Sequence, residues 1–254
     1  MFKSPTSRIQ TVANLIPHGT RVVVDVGYDH GRLIALLAQQ RPDIRVIGVE
    51  RQPDAAERFW RRNRLPPEAR DRILLLCGDG FEVLGHQTPE VAVLSGLGER
   101  RILDAAPQAV ARLNRLVMAP LGNRALLRPY LRTRSWTVVE ERLLTQHNRY
   151  YQVFAACPAC PSDTAADPET WLFGTGLFEQ RHPLLAAYLR QLARQLEPMV
   201  SHADEKSHDL REFCSRLGPA VELAEARCRQ RAGGEGRSDV KLEFGGGPSE
   251  GACG

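Results

Sequence analysis

The stretch RVVVDVGYDHGRL, residues 21–33, decides the fold. It opens with a run of β-branched residues, which favours a buried strand, and continues through a glycine turn into a helix-spaced apolar segment. Doubly wound α/β sheets receive nucleoside cofactors where a strand ends in an acidic residue and a glycine turn leads into a helix. We therefore expect Asp25 and Gly27 to border a cofactor site. Gly27 lets the backbone approach a ligand because it has no Cβ.

Strand and helix patterns alternate from this stretch to about residue 156, as is typical of βαβ units and a mostly parallel sheet. The candidate strands are residues 21–26, 44–50, 72–77, 91–94, 115–119, 136–144 and 150–156, and the candidate helices are residues 31–40, 54–63, 99–113 and 124–134. Only a TQHNR turn separates the last two strands, so they should pair as an antiparallel hairpin. The pattern predicts a Rossmann-like α/β fold, the seven-stranded doubly wound sheet of class I methyltransferases.

The predicted domain organisation follows the change in pattern beyond the sheet. Residues 1–157 form the sheet domain, and residues 158–182 are Pro-rich and predicted to be a connector. In residues 183–231 apolar side chains recur at helical spacing in two stripes, which predicts an appended antiparallel helical hairpin. The Gly-rich segment 232–254 is predicted to be a disordered tail.

Charge is distributed unevenly along the chain. Residues 1–157 carry 23 Lys and Arg against 15 Asp and Glu, a net charge of +8, whereas the remainder has a net charge of −4. A basic first domain suits a polyanionic partner, although a high genomic G+C content also raises arginine content. No stretch approaches the ~18 uninterrupted apolar residues of a membrane span, and the start lacks the apolar core of a secretory signal. We expect a cytoplasmic protein.

The cysteines do not form a pattern typical of disulfides or zinc. Cys77 lies in an apolar run and is predicted to be a buried core thiol. Cys157 and Cys160 form a C-x-x-C in a Pro-rich segment, but Cys214 and Cys228 are too widely spaced to complete a zinc site. The spacing favours an inert loop over a redox or metal role, and we expect no bound metal.

Further candidate cofactor residues follow three other strands. Glu50 ends the second strand, about 20 residues past the turn, where a carboxylate can accept both ribose hydroxyls. Asp79 and Gly80 follow the third strand, and Asp79 can accept an adenine amino group. Gly96 and Gly98 follow the fourth strand and keep the floor beneath a ligand open. Glycine and aspartate commonly end strands, but four such features on successive strands favour a cofactor site.

The same motifs carry a family resemblance. D-V-G-Y-D-H at 25–30, G-D-G at 78–80, S-G-L-G at 95–98, A-P at 119–120 and Trp136 before the hairpin resemble the bacterial tRNA adenine(22)-N1 methyltransferases. The resemblance extends over about residues 5–230, including LFG at 172–174 before the helical pair. It implies S-adenosylmethionine as cofactor, bound by Gly27, Glu50 and Asp79. It also implies tRNA, or another structured RNA, as substrate.

The resemblance further implies catalytic roles for Asp29 and His30, close to the transferred methyl group. Adenine N1 has an in-plane lone pair and needs no strong base, but its methylation makes the ring cationic. A carboxylate such as Asp29 can hold the N6 amino group and offset that charge. The structural alternatives are a helix N-cap for Asp29 and a backbone-bonding helix start for His30.

Two segments depart from the family pattern. Glu99 stands where the family has a glycine after the fourth strand, and Ala119, Pro120 and Leu121 replace a Q-P-N sequence after the fifth. Both segments border the expected pocket for the target base. Three alternatives therefore remain: a methyltransferase of the same fold acting on another RNA base, one acting on a small molecule, and an inactive RNA-binding or scaffold homologue.

Arginines near the predicted carboxyl edge of the sheet are candidates for phosphate contacts. They are Arg32, Arg100, Arg101, Arg124 and Arg128. For each of them the structural alternative is a solvated surface charge. An NAD-dependent enzyme is least favoured, because the turn holds Gly27 and Gly31 but lacks the G-x-G-x-x-G fingerprint.

Overall fold

The computed structural model describes residues 7–121, 126–158, 168–201 and 208–234. Its strands are β1 Val22–Val26, β2 Arg45–Glu50, β3 Ile73–Cys77, β4 Val91–Gly98, β5 Arg115–Leu121, β6 Trp136–Gln146 and β7 Arg149–Pro158. Its α-helices are α1 Arg8–Asn14, α2 Arg32–Gln40, α3 Ala55–Arg62, α4 Pro67–Arg70, α5 Glu99–Arg112, α6 Leu127–Thr133, α7 Pro168–Phe173, α8 Thr175–Glu179, α9 Leu185–Ser201, α10 His208–Ser215 and α11 Leu217–Gly234. A short 3₁₀ helix, Glu82–Leu84, follows β3.

The seven strands form one sheet in the order β3-β2-β1-β4-β5-β7-β6. The first five pair in parallel, and β7 pairs antiparallel with both β5 and β6. The prediction of a seven-stranded doubly wound sheet is confirmed. Strands β2 and β3 lie on one side of β1, and β4 and β5 lie on the other. The strand order therefore reverses between β1 and β4, and the carboxyl ends of these two strands flank the position where such sheets bind ligands.

Along each strand, successive side chains are buried on opposite faces of the sheet. Val23 belongs to a core shared with α1 and α2, and its neighbour Val24 belongs to a second core shared with α5 and α6. Both valines are fully buried, as expected for a parallel strand covered by helices on each face. Helix α1, which the sequence analysis did not anticipate, begins after Ser7, whose hydroxyl accepts a hydrogen bond from the Gln10 N–H at 3.2 Å.

The hairpin is tighter than predicted. Its strands extend to Gln146 and Arg149, leaving only His147 and Asn148 in the turn, with φ of 48° and 58°. Two successive residues of positive φ form the primed turn that matches the twist of a two-stranded ribbon. The longer strands carry Arg149 and its neighbours beyond the end of β5.

The prediction that Cys77 is a buried core thiol is wrong. Cys77 is exposed at the carboxyl end of β3. Strand β3 is the edge strand of the sheet, so its apolar residues are only partly covered. An apolar run does not reveal which strand will be at the edge. Cys160 lies outside the described residues, whereas Cys157 is half-buried and accepts a contact from the Arg115 guanidinium at 3.8 Å.

The C-terminal helices have a core of their own, to which β6 contributes Leu143. Helices α7 and α8 lie within the predicted connector, yet Phe173, Leu177 and Phe178 are fully buried in this core. The second predicted helical stripe is divided between α10 and α11, and α9 packs against α11. Helix α11 runs to Gly234, two residues past the predicted start of the tail, and residues 235–254 lie outside the described ranges.

Within those ranges, no helix has both the length and the apolar character needed to cross a membrane. The same residues contain no cluster of three His, Cys, Asp or Glu side chains arranged to hold a metal ion.

Candidate active site

The carboxyl ends of β1 to β4 enclose a cleft, which we term the cofactor cleft. Its volume is about 220 Å³. The lining residues come from these strand ends and from α5: Val26, Gly27, Val49, Glu50, Arg51, Gly78, Asp79, Gly80, Glu82, Leu97, Arg101, Asp104 and Ala105. Four of the predicted cofactor residues, Gly27, Glu50, Asp79 and Gly80, thus line one cavity.

Gly27 closes the turn after β1 in a conformation that favours glycine. Its φ is +76°, and a Cβ placed on it would lie 2.8 Å from the Leu97 side chain. Its N–H donates a hydrogen bond to the Val49 carbonyl at 2.8 Å, which extends the β1–β2 pairing by one residue. A side chain here would be strained and would fill the space between the turn and the end of β4.

The Glu50 carboxylate is held in place by backbone donors. Its Oε2 accepts a hydrogen bond from the Asp29 N–H at 3.2 Å, and its Oε1 accepts one from the Arg51 N–H at 2.9 Å. Each carboxylate oxygen retains a second lone pair directed elsewhere. Glu50 therefore combines a fixed orientation with the capacity to accept hydrogen bonds from two adjacent hydroxyl groups.

Asp79 is an exposed acid of the cleft. Its side chain is 69% exposed, and one carboxylate oxygen lies 3.8 Å from Arg51 Nε. Gly80 follows with φ of +53°, so the backbone turns away immediately after the acid. Asp79 can therefore accept a hydrogen bond from a ligand without first losing a buried partner.

Asp25 occupies a different position from the one predicted. It lies in the middle of the sheet, opposite Gly48 of β2 and Val93 of β4, and it is not among the lining residues of the cofactor cleft. Burial, assisted by the negative charge of Glu50, raises its pKa to about 7. Asp25 can influence the cleft only from behind, through Glu50 and the turn that follows β1.

Asp29 and His30 project from the turn outside the cofactor cleft. Asp29 has φ of +47°, and its side chain is 66% exposed. His30 Nδ1 lies 3.3 Å from an Asp29 carboxylate oxygen and 2.5 Å from the Arg62 guanidinium. Neither structural alternative fits, because the N-cap of α2 is Gly31, no side chain caps that helix, and the His30 ring contacts side chains.

Gly96, at the carboxyl end of β4, does not line the cofactor cleft. It has φ of +77°, and among the described residues Arg8 Nη2, 4.0 Å away, is the one side-chain atom near the position of a Cβ built on it. Leu97 lines the cleft in its place.

The prediction that Arg128 binds phosphate is wrong. Its side chain is 7% exposed, and its guanidinium donates a hydrogen bond to Glu141 at 2.7 Å and another to the Trp171 carbonyl at 3.2 Å. A buried cation needs such partners because water is not available to solvate it. Arg128 joins α6 to the hairpin and the C-terminal helices.

The other candidate arginines are divided between two environments. Arg101 lines the cofactor cleft, whereas Arg32 and Arg100 are exposed in the first turns of α2 and α5. Arg124 lies outside the described residues. Arg8 and Arg51 were missed by the sequence analysis, because nothing near either residue resembles a motif.

Glu99, one of the departures from the family pattern, has a structural role. One of its carboxylate oxygens accepts a hydrogen bond from the Leu126 N–H at 2.6 Å. The bond ties the start of α5 to the start of α6 and so fixes the chain on the far side of segment 122–125. Leu121, which precedes that segment, is 40% exposed at the end of β5.

Comparison with known proteins gave three kinds of match. The model of the methyltransferase domain family matches residues 6–154. A putative tRNA methyltransferase of Mycoplasma pneumoniae is 28% identical over 199 residues, which are 75% of this chain and 92% of that protein.

Among solved structures, M. capricolum TrmK in complex with S-adenosyl-homocysteine has a TM-score of 0.68 at 15% identity, covering 85% of this chain and 97% of that one. Streptococcus pneumoniae Sp1610, a putative tRNA (m1A22) methyltransferase in complex with S-adenosyl-L-methionine, has a TM-score of 0.68 at 20% identity, covering 86% and 100%. At these identities the structural likeness establishes the fold.

Proposed function

Because the chain belongs to the methyltransferase domain family, we propose that it transfers a methyl group from S-adenosylmethionine to N1 of an adenine in tRNA. The observation that carries the proposal is the convergence of Gly27, Glu50, Asp79 and Gly80 on one cleft. The tRNA substrate is supported by the relatives, which are described as tRNA methyltransferases. A cytoplasmic location is part of the proposal.

The residues of the cofactor cleft fit S-adenosylmethionine. Four carboxylates, Glu50, Asp79, Glu82 and Asp104, line it against two arginines, so its charge suits a sulfonium cation. Glu50, with its orientation fixed by backbone donors, would hold the ribose hydroxyls, and Asp79 would accept the adenine amino group. Gly27 and Gly80 leave room for the ligand because they have no side chains.

The cofactor supplies an electrophilic methyl group, and the protein must place the acceptor nitrogen in line with it. The Asp29 carboxylate, exposed beside the turn, would accept a hydrogen bond from the adenine N6 amino group and stabilise the positive charge that forms on the ring. His30 would lie beside the bound base; its Nδ1 accepts a hydrogen bond from the Arg62 guanidinium, so this nitrogen does not donate one to Asp29. No general base is required, since N1 attacks through its own lone pair.

We assign the tRNA contacts to both parts of the chain. Residues 1–157 would carry catalysis, and residues 183–231 would support the folded RNA. Arg32 and Arg100, exposed at this edge of the sheet, remain proposed phosphate contacts.

The test is methylation of defined tRNA transcripts with labelled cofactor, followed by digestion and chromatography of the nucleosides. We expect label in 1-methyladenosine from a transcript with adenine at position 22, the position named for the structural relative, and none from the matched transcript with guanine there. Equal labelling of the two transcripts would contradict the assigned position. No labelling of either, with cofactor binding intact, would contradict the proposed reaction.

A second candidate is methylation of another base by the same fold. It is favoured by the apolar end of β5, where Pro120 is followed by the exposed Leu121 in place of polar side chains. Label recovered in a nucleoside other than 1-methyladenosine in the same digest would support it.

A further inference from the structure

A second cleft, which we term the hairpin cleft, opens at the carboxyl edge of β5. It lies between Pro120 and Leu121 of β5, residues 148–151 of the hairpin, and the side of α9 that carries Gln191 and Gln195. Its volume is about 520 Å³, against about 220 Å³ for the cofactor cleft. The hairpin cleft shares no lining residue with the cofactor cleft.

The hairpin cleft adjoins the active site through Arg8 and Tyr151. Tyr151 lines the cleft, and the Arg8 guanidinium carbon lies 5.0 Å from the centroid of its ring. The same guanidinium reaches to 4.0 Å from a Cβ placed on Gly96, at the open end of β4. Leu121 pairs with Gly98, so the β5 wall of the cleft also begins beside the end of β4. The hairpin cleft therefore lies next to the carboxyl end of β4, whose Leu97 lines the cofactor cleft.

The chemistry of the hairpin cleft differs from that of the cofactor cleft. Its lining, as far as the structure describes the chain, includes no carboxylate; the polar groups are amides, tyrosine hydroxyls and the Arg149 guanidinium. Within the part of the chain that the structure describes, neither Arg8 nor Arg149 forms an ion pair. Such a site suits a ligand that combines negative charge with a flat ring and hydrogen-bonding edges.

One wall of the hairpin cleft is rigid. The Tyr150 ring packs against Tyr188, with ring centroids 6.0 Å apart, and the Tyr188 hydroxyl donates a hydrogen bond to Gln152 at 3.1 Å. Gln152 is itself buried and bonded to Glu141 at 3.3 Å. The exposed part of Tyr150 is thus held in place before any ligand binds, which lowers the entropy cost of binding.

We infer that the hairpin cleft binds a nucleotide of the substrate RNA next to the target base. Single-stranded or extruded nucleotides are recognised by stacking on aromatic rings and by hydrogen bonds to their edges, which tyrosines and glutamines supply here. Arg149 contacts the phosphate of this nucleotide, and Arg8 lies where the RNA strand passes from the hairpin cleft to the active site. This inference rests on the proposed RNA substrate and names where the RNA binds beyond the methyl-accepting base.

Two variants test the cleft, each with a matched control. Arg149→Ala removes the cation of the cleft. Its control is Arg45→Ala, which removes an exposed arginine at the amino end of β2, on the opposite edge of the sheet. Gln191→Trp fills the cleft, and its control is Gln40→Trp, which replaces another neutral glutamine with the same ring at the exposed end of α2, outside the lining. The dissociation constant for tRNA is measured by fluorescence anisotropy over a range of salt concentrations, and that for S-adenosylmethionine by calorimetry.

We expect Arg149→Ala to weaken tRNA binding about fivefold and to reduce the slope of log affinity against log salt by about one, the loss of one phosphate contact. Gln191→Trp should weaken binding about tenfold with the slope unchanged, because it removes no charge. Both controls should bind tRNA like the parent, and all four should bind the cofactor like the parent.

The inference is overturned if both cleft variants bind tRNA as tightly as their controls, or if the parent binds no tRNA. If the parent binds tRNA through the cleft but transfers no methyl group, the proposed function fails while the RNA-binding cleft stands. If the parent methylates tRNA and the cleft variants bind it normally, the proposed function stands while the RNA-binding cleft fails.

Discussion

The two clefts at the carboxyl edge of the sheet are built from different kinds of residue. The cofactor cleft is formed mainly by turns that directly follow strands, and it holds four carboxylates and three glycines. The hairpin cleft is formed by the end of β5, a hairpin tip and a helix more than 30 residues further along the chain, and it holds amides and aromatic rings. The first suits a cationic nucleoside, and the second suits an anionic polynucleotide.

The comparison shows how each cleft depends on the rest of the fold. Glycines and acids at strand ends shape the cofactor cleft once the sheet has formed, because the position of each is set by the strand that it follows. The hairpin cleft exists only if the C-terminal helices pack against β6 and β7. That packing includes the buried pair of Arg128 and Glu141, the Gln152 amide and the Tyr188 hydroxyl. Damage to this network should therefore affect one cleft and spare the other.

The largest effect is expected from breaking the buried ion pair. Arg128→Leu leaves the Glu141 carboxylate buried without its cation and should lower the free energy of unfolding by about 3–5 kcal/mol, as measured by urea denaturation. The double variant Arg128→Met with Glu141→Leu removes both charges and should recover most of the loss. If the double variant is as unstable as the single one, the charge pair is not what holds the C-terminal helices to the sheet domain.

A smaller, pH-dependent effect is expected at Asp25, behind the cofactor cleft. The folded chain holds its proton up to about pH 7, whereas the unfolded chain releases it near the ordinary pKa of 3.8. The folded state thus binds the extra proton in this window, and its stability falls as pH rises, by about 1.4 kcal/mol per unit.

Asp25→Asn removes this dependence. Between pH 5.5 and pH 7 the free energy of unfolding of the parent should fall by about 2 kcal/mol more than that of the variant. Urea denaturation at the two pH values measures it. A constant difference would show that Asp25 ionises normally in the folded chain.

Glu50→Ala tests the cofactor cleft itself. Losing the hydrogen bonds to a charged group should weaken S-adenosylmethionine binding by about 1–3 kcal/mol in calorimetry, with tRNA affinity unchanged. Glu57→Ala is the control, because Glu57 is an acid on the exposed surface of α3 whose partner is Arg61. An unchanged cofactor affinity in Glu50→Ala would remove Glu50 from the ribose.

The most selective change is expected at Asp29. Asparagine tolerates the left-handed backbone of this position, so Asp29→Asn removes the charge without straining the turn. Turnover at saturating tRNA and cofactor should fall by at least about tenfold, or about 1.4 kcal/mol in the barrier, while both affinities stay at the parent values. Turnover at the parent rate would exclude Asp29 from catalysis.

Much of the cofactor cleft was predictable from the sequence. The positions of Gly27, Glu50 and Asp79 follow from where strands end, and parallel strands bring their carboxyl ends to one edge. The predictions failed where the outcome depended on packing. Arg128 is buried because the C-terminal helices cover it, and Asp25 lies behind the cleft because β1 is central in the sheet. Neither position is marked by its neighbours along the chain.

The sequence alone determined the order of the seven strands along the chain and the residues of the turns at the strand ends, because hydrophobic periodicity and glycine placement act over a few residues. Only the tertiary structure decided that Cys77 is exposed on an edge strand, that Arg8 approaches Gly96, and that β5, the hairpin and α9 enclose a second cleft. Those outcomes depend on which distant elements come into contact, and such contacts are set by the packing of the whole chain rather than by any local pattern.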